Sequence, residues 1–287
     1  MLLKSLNYWS VPGGLEGTLD PIDFIRIAAA HRFPAVEIAI GEPGSAFGTD
    51  ATEARCREIL AVATESGVAV ASTASGLYWG RSLADGDPNV RAQARADLEA
   101  MLKIASWLGV KTHLTIPGAV DVFFMADRPV LTYAHVWQHA TEGIRALLPV
   151  AERFGVRMGV ENVWNRFLMS PAEMASFIDQ FGSPWVGAYV DVGNLQPFGY
   201  AEDWLRHLGS RVVGIHFKDF RRGVGNIDGF VDLLEGDVNW PEVMAAIGEI
   251  GFDGPVVAEM IPYYRHYPVV RIANTSNAMD AILGLAS

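Results

Sequence analysis

Short runs of β-branched and aromatic residues alternate with longer amphipathic stretches from one end of this chain to the other, and that alternation restricts the fold more than any other feature. A strand, a helix and a second strand in regular succession call for a crossover connection, so the pattern implies a parallel sheet covered by helices. Eight such units can be placed, with strands near Leu3 to Trp9, Ala35 to Ile40, Val68 to Thr73, Lys111 to Ile116, Arg157 to Glu161, Val186 to Asp191, Val212 to Phe217 and Pro255 to Glu259. Eight units match a (β/α)₈ TIM barrel, which uses about 250 residues. The chain has 287, and one domain over residues 1–287 is expected.

Local signals punctuate the same rhythm. Asp20 before Pro21, and Ser170 with Pro171 and Glu173, have the form of helix N-caps with proline at the first helical position. Gly67, Gly109, Gly155 and Gly251 precede predicted strands, where a left-handed C-cap ends a helix. An open doubly wound sheet is the rival arrangement, and it usually carries a glycine-rich nucleotide loop after its first strand. Here that loop reads Ser10, Val11, Pro12, Gly13, Gly14, with the wrong spacing and a proline that removes a donor, so the closed barrel is preferred.

Half of the residues are hydrophobic and 19% are charged, enough apolar material for a large core. A net charge of −11 repels phosphodiester backbones and anionic lipid, which argues against nucleic acid and membrane partners and leaves small molecules or further copies of the chain in a homo-oligomer. The single cysteine, Cys56, shares an apolar helix face with Ile59, Leu60 and Ala63 and reads as a small buried hydrophobe. With no disulfide framework and no run of about 20 apolar residues, a cytoplasmic location is expected.

Chemistry becomes visible when the last four strands are read to their C-terminal ends, the face on which barrel enzymes build their sites. They end in Glu161, Asp191, His216 and Glu259. Three carboxylates at one desolvated place repel each other unless protonated or bound to a shared cation. Three oxygen donors and one imidazole form a hard set suited to one divalent ion, with Mn²⁺ favoured and Mg²⁺, Co²⁺ or Zn²⁺ as alternatives. Any one of these acids could merely cap a helix; four in succession form a joint metal-site expectation.

At these residues the chain resembles the sugar phosphate isomerase and epimerase superfamily built on the xylose-isomerase-like barrel, which includes ketose 3-epimerases, inosose dehydratases and the endonuclease IV branch. The resemblance spans nearly the whole chain and is carried by Glu161-Asn162-Val163-Trp164-Asn165, Asp191-Val192-Gly193-Asn194, His216-Phe217-Lys218-Asp219 and Ala258-Glu259-Met260. It implies a metal-dependent epimerase or isomerase acting on a ketose or ketose phosphate by proton transfer through a metal-stabilised enediolate. Glu161 and Glu259 would then be catalytic as well as metal ligands, exchanging protons on opposite faces of the substrate. One departure concerns the substrate: Asn194 stands where many free-ketose epimerases carry histidine, as it does in relatives resembling sugar-phosphate enzymes.

Trp9, Tyr78, Trp79 and Trp164 fall at or just past strand ends, where aromatic faces pack on sugars or simply fill the core. Trp9, Trp164, Asn194, Lys218 and Arg221 are the expected substrate contacts, Arg221 with Arg222 lying near the usual phosphate-gripping region of a barrel. The bland reading of that arginine pair is a solvated loop. Lys218 could hold a substrate hydroxyl or pair with Asp219. Glu37 on strand two is expected to be a structural hydrogen-bond partner or to reach the mouth, outside the metal set. Asn162 is expected to orient Glu161, His113 to satisfy a buried hydrogen bond, and His135 and His139 to lie on the surface. Tyr263, Tyr264 and Tyr267 could close the pocket or cover a neighbouring subunit.

Other chemistries remain open at this point. The same enediolate can expel a β-hydroxyl, which would make the protein a dehydratase or lyase acting on a keto-polyol or keto-sugar. An abasic-site endonuclease would need more histidine ligands and a basic surface. A non-catalytic sugar-binding protein would have no use for two intact ligand glutamates.

Overall fold

The structure, a computed structural model, describes residues 2–125 and 127–285. Strands β1 (Leu3–Asn7), β2 (Ala35–Ala39), β3 (Ala69–Ala74), β4 (Thr112–Thr115), β5 (Arg157–Glu161), β6 (Val186–Asp191) and β7 (Val212–Phe217) follow one another around a parallel sheet. After β7 a two-stranded antiparallel ribbon intervenes, β8 (Asp219–Phe220) with β9 (Phe230–Val231), before β10 (Pro255–Ala258). β10 pairs with both β7 and β1, which closes the barrel and excludes the open sheet. Helices α1 (Pro21–Ala30), α2 (Glu53–Glu65), α3 (Leu77–Gly80), α4 (Pro88–Trp107), α5 (Tyr133–Phe154), α6 (Pro171–Asp179), α7 (Ala201–Leu208), α8 (Trp240–Glu249) and α9 (Pro268–Ile282) connect or follow the strands. Among the described residues no helix is long and apolar enough to cross a membrane.

The helix boundaries follow their local chemistry. The Asp20 carboxylate accepts from the Ile22 amide ahead of α1, and Ser170 accepts from the Glu173 amide at α6. Glu173 reaches back to accept from the amide of Met169, one residue beyond the N-cap amide that is the usual capping-box partner. At the far end of α5, Gly155 adopts φ 65°, the left-handed turn that lets the chain descend into β5. Cys56 is buried on α2 beside Ile59 and Ala63.

Two strands stop earlier than their apolar runs suggest, and both interruptions shape the mouth. β1 ends at Asn7 because its side chain accepts from the Trp9 amide at 2.7 Å, bending the chain into a 3₁₀ turn over Tyr8–Ser10. β10 ends at Ala258, so Glu259 sits just beyond the ladder, its amide still bonded to the Phe217 carbonyl at 3.1 Å.

The interior is filled by side chains, and one aromatic determines its shape. Tyr189 lies two residues before Asp191 on the same face of β6 and points into the barrel, where it is fully buried. A β-carbon built on Gly214 of β7 would lie 2.5 Å from the Tyr189 ring, and one on Gly159 of β5 would lie 3.0 Å from it. The two glycines on the flanking strands therefore make room for the phenol between them. Replacing Gly214 with alanine is expected to overpack this layer and cost about 1–3 kcal/mol. Urea denaturation would register the loss as a lower midpoint, whereas an unchanged midpoint would show that Tyr189 has room to move.

Candidate metal and substrate site

β5, β6 and β7 and the residue after β10 deliver Glu161, Asp191, His216 and Glu259 to one place, each offering a ligand atom within 4.8 Å of all the others. All four are buried. His216 Nδ1 lies 3.1 Å from Glu161 Oε1, 3.4 Å from Glu259 Oε2 and 3.9 Å from Asp191 Oδ2. Asp191 Oδ1 accepts from the amides of Gly193 and Asn194, which fixes that carboxylate and leaves Oδ2 turned toward the cluster.

The arrangement fits a divalent cation. Asp191 Oδ2 and Glu259 Oε2 are buried without a hydrogen bond of acceptable geometry, although the Lys218 ammonium is within ion-pair reach of both. Buried carboxylate oxygens left in this state are costly, and a metal supplies the missing partner. Burial pushes the Glu161 carboxyl up to about 7, against the opposing pull of His216. Burial acts the same way on Glu259, but the combined charges of Lys218 and His216 outweigh it and bring that group down to about 2. The His216 imidazolium is opposed by burial yet raised well above its ordinary value by Glu37 and Glu259.

Glu37 is the residue whose part the sequence left undecided. It is fully buried and accepts from Asn7 Nδ2 at 2.7 Å, Ser72 Oγ at 2.7 Å and the Tyr189 hydroxyl at 2.6 Å, with His216 Nε2 at 2.7 Å as its fourth partner. Against burial, His216, Tyr189 and Ser72 together hold Glu37 below its ordinary value, so it stays a carboxylate. A carboxylate can only accept, so Nε2 carries the proton and Nδ1 is the nitrogen that faces the cluster. A signal for this network was present: residues 189 and 191 share a strand face, and glycine at 159 and 214 opens space beside Tyr189.

A cavity of about 870 Å³ opens above the cluster. Of the four clustered groups only Glu161 and Glu259 border it; Asp191 and His216 lie behind them, with no solvent exposure. Trp9, Trp164, Asn194 and Lys218 line the same cavity, as does Trp79. The Asn194 amide group is turned to the Asn162 carbonyl, and the Trp164 indole donates to the Asn194 carbonyl at 2.6 Å.

Several expected contacts lie elsewhere. Arg221 is outside the cavity lining and binds the Glu235 carbonyl at 3.0 Å, because the β8–β9 ribbon carries it away from the mouth. Arg222 binds Gln196 and stacks on Tyr200. Asp219 does not pair with Lys218; it accepts from the amides of Phe220, Leu234 and Val238 and from the Trp240 indole, tying down the excursion after β7. Asn162 holds the backbone of Asp191 through paired 2.9 Å bonds, so it orients that ligand strand and not the Glu161 carboxylate. His113 sits buried between Thr73 and Tyr78, which takes Tyr78 out of the cavity, and burial pushes the imidazole down to about 3. Tyr263 and Tyr264 bond Glu16 and Asp232 in neighbouring loops. Phe123, Phe124 and Phe230 line the cavity without having been singled out, although the adjacent Phe123-Phe124 pair beyond strand four was a visible cue.

The chain belongs to the family described as Xylose isomerase-like TIM barrel, whose model matches residues 25–282. It is 23% identical over 273 residues to the L-ribulose-5-phosphate 3-epimerase UlaE of Salmonella paratyphi C, covering 92% of this chain and 90% of that protein. It is 28% identical over 193 residues to the D-psicose 3-epimerase of Ruminiclostridium cellulolyticum, covering 64% of this chain and 60% of the relative. The crystal structure of D-psicose 3-epimerase in the presence of D-fructose superposes with a TM-score of 0.78 at 18% identity, over 99% of this chain and 100% of the other.

Two outcomes are expected of the cluster. Glu161 and His216 must each give up a proton before donating to a cation, so affinity should rise with pH about tenfold per unit for each proton displaced, more steeply below the Glu161 value of about 7 and less steeply above it, where only His216 still releases one. Calorimetry at pH 6 in buffers of different ionisation enthalpy would detect the released protons, and binding without release would contradict the assignment. Glu37→Gln is expected to weaken cation binding by about 10- to 100-fold through loss of the imidazole's anchor. A metal titration of the variant, with its unfolding curve as control, checks this; unchanged affinity would leave Glu37 a purely structural group.

Proposed function

We propose that this chain is a divalent-metal-dependent ketose epimerase in which Glu161 and Glu259 are the proton-transfer residues. As a member of its family, related in sequence to ribulose-5-phosphate and psicose 3-epimerases, it is an enzyme acting on sugars. The observation that carries the assignment of residues is the partition of the buried cluster: two carboxylates face the cavity, and the aspartate and the histidine are withdrawn behind them.

Glu161, Asp191, His216 and Glu259 would hold the cation, and the hardness of three carboxylates favours Mn²⁺. When bound, the ion supplies positive charge against which an enediolate can form beside the sugar carbonyl. Asp191 and His216 keep their side chains fixed, through backbone amides and Glu37 respectively, and so hold the two glutamates' common partner in place. Glu161 ends β5 and Glu259 follows β10, on either side of β7 and His216, so one can take the proton from the carbon while the other returns one to its opposite face. Lys218, bordering the cavity and raised above its ordinary value by Asp191 and Glu259 despite burial, presents an ammonium to a substrate oxygen. Its expected partner is a hydroxyl and not Asp219.

Incubating the metal-loaded protein with ketoses in heavy water should introduce deuterium at the epimerised carbon while the sugar keeps its molecular formula otherwise. Loss of 18 mass units would instead identify a dehydratase. Glu161→Gln and Glu259→Gln should each lower turnover by about 10²- to 10⁴-fold. Full turnover in a variant that still binds the metal would remove these residues from the chemistry.

A further inference from the structure

We propose that the substrate is an uncharged keto-sugar that carries a second ring, aromatic or glycosyl, at the end of its chain remote from the carbonyl, and that it is not a sugar phosphate. This rests on the epimerase reading for the carbonyl end, which places that end beside Glu161 and Glu259; the remote end must then lie in the outer part of the cavity.

That outer part is aromatic. Trp79 meets Phe124 at 5.1 Å between ring centroids, Phe124 meets Phe123 at 5.3 Å, Phe123 meets Trp164 at 6.0 Å, and Trp164 meets Phe230 at 5.2 Å. These five rings form an unbroken arc along one side of the cavity. Phe123 and Phe124 are 46% and 50% exposed, so the arc presents apolar faces to the opening and not to the core. A cavity of about 870 Å³ is near the upper end of the roughly 300–1,000 Å³ that accommodates drug-sized ligands, well beyond what one pentose or hexose fills. An apolar ring face laid on such an arc leaves water along with it, and planar or pyranose rings provide that face.

The charge of the site points the same way. Among the described residues that line the cavity, Lys218 is the only cation, and it is within 3.2 Å of Asp191 and in contact with Glu259. Glu161, Glu259 and Asp228 border the same space. The arginines at its periphery are engaged elsewhere: Arg221 with Glu235, Arg222 with Gln196, and Arg128 with Asp85 at 2.6 Å. A phosphate dianion would meet carboxylates without the guanidinium or amide cradle that normally binds one.

Four ligands that differ only at carbon six test the idea: D-fructose, D-fructose 6-phosphate, 6-O-glucosyl-fructose and 6-O-benzyl-D-fructose. Binding to the metal-loaded protein is read from tryptophan fluorescence, which Trp9, Trp79 and Trp164 place in the cavity, and deuterium uptake from heavy water is measured separately. At least one ring-bearing ligand should bind about tenfold more tightly than D-fructose, and the phosphate should bind no more tightly. The better of the two ring ligands identifies whether the second ring is aromatic or glycosyl. Phe124→Ala should lose most of that advantage while keeping the parent unfolding midpoint, since the ring is half exposed on a loop. Tighter binding of D-fructose 6-phosphate than of D-fructose, or no gain from either ring, overturns the proposal; if deuterium is nevertheless incorporated, the epimerase reading stands alone. Tighter ring binding with no incorporation into any ligand supports the substrate class and removes the epimerase chemistry.

Discussion

The His216 imidazole joins the packed interior of the barrel to its open end. Its Nε2 is committed to Glu37, a carboxylate already saturated by Asn7, Ser72 and Tyr189, so Nδ1 has only one direction left to face. In that direction stand three carboxylates, two of them with a buried oxygen in want of a partner. Reversing the imidazole would place its proton against the wrong neighbours and break a network that fills the barrel from β1 to β7. The position of the site is therefore inherited from core packing, which explains how side chains this strongly repelling can be held in register.

The same packing separates anchoring from action. Asp191 and His216 are tied to backbone amides and to Glu37, without exposure, while Glu161 and Glu259 stand one step closer to the opening. Asp219 extends this economy beyond the barrel: by gathering amides from Phe220, Leu234 and Val238, it builds the ribbon that brings Phe230 over the cavity and takes Arg221 away from it. A single buried carboxylate thus decides which side chain of that segment lines the cavity.

Sequence reasoning located the eight strands and the four clustered residues because each depends on local order. Alternation sets the strands, and a polar residue at the end of an apolar run is visible without knowledge of its neighbours. It did less well with Asn162, Asp219 and Arg221. Their types suit several roles, and the choice among them is made by partners 14 to 29 residues away, such as Glu235 for Arg221 and the Asp191 backbone for Asn162. The aromatic arc was only half legible for the same reason: Trp79 and Trp164 follow strands, but Phe124 reaches them from the segment after β4 and Phe230 from the β8–β9 ribbon.

The sequence by itself determined the eight-fold alternation, the helix caps and the identity of the residues ending the last four strands, since these are consequences of periodicity and of backbone chemistry within a few residues. Only the tertiary structure decided that Glu37 meets His216 across 179 positions of chain, that glycines on β5 and β7 admit Tyr189 between them, and that the cavity is walled by rings and not by arginines. Those outcomes depend on the distance between side chains on different strands, a quantity fixed by closure of the barrel and absent from any local stretch of residues.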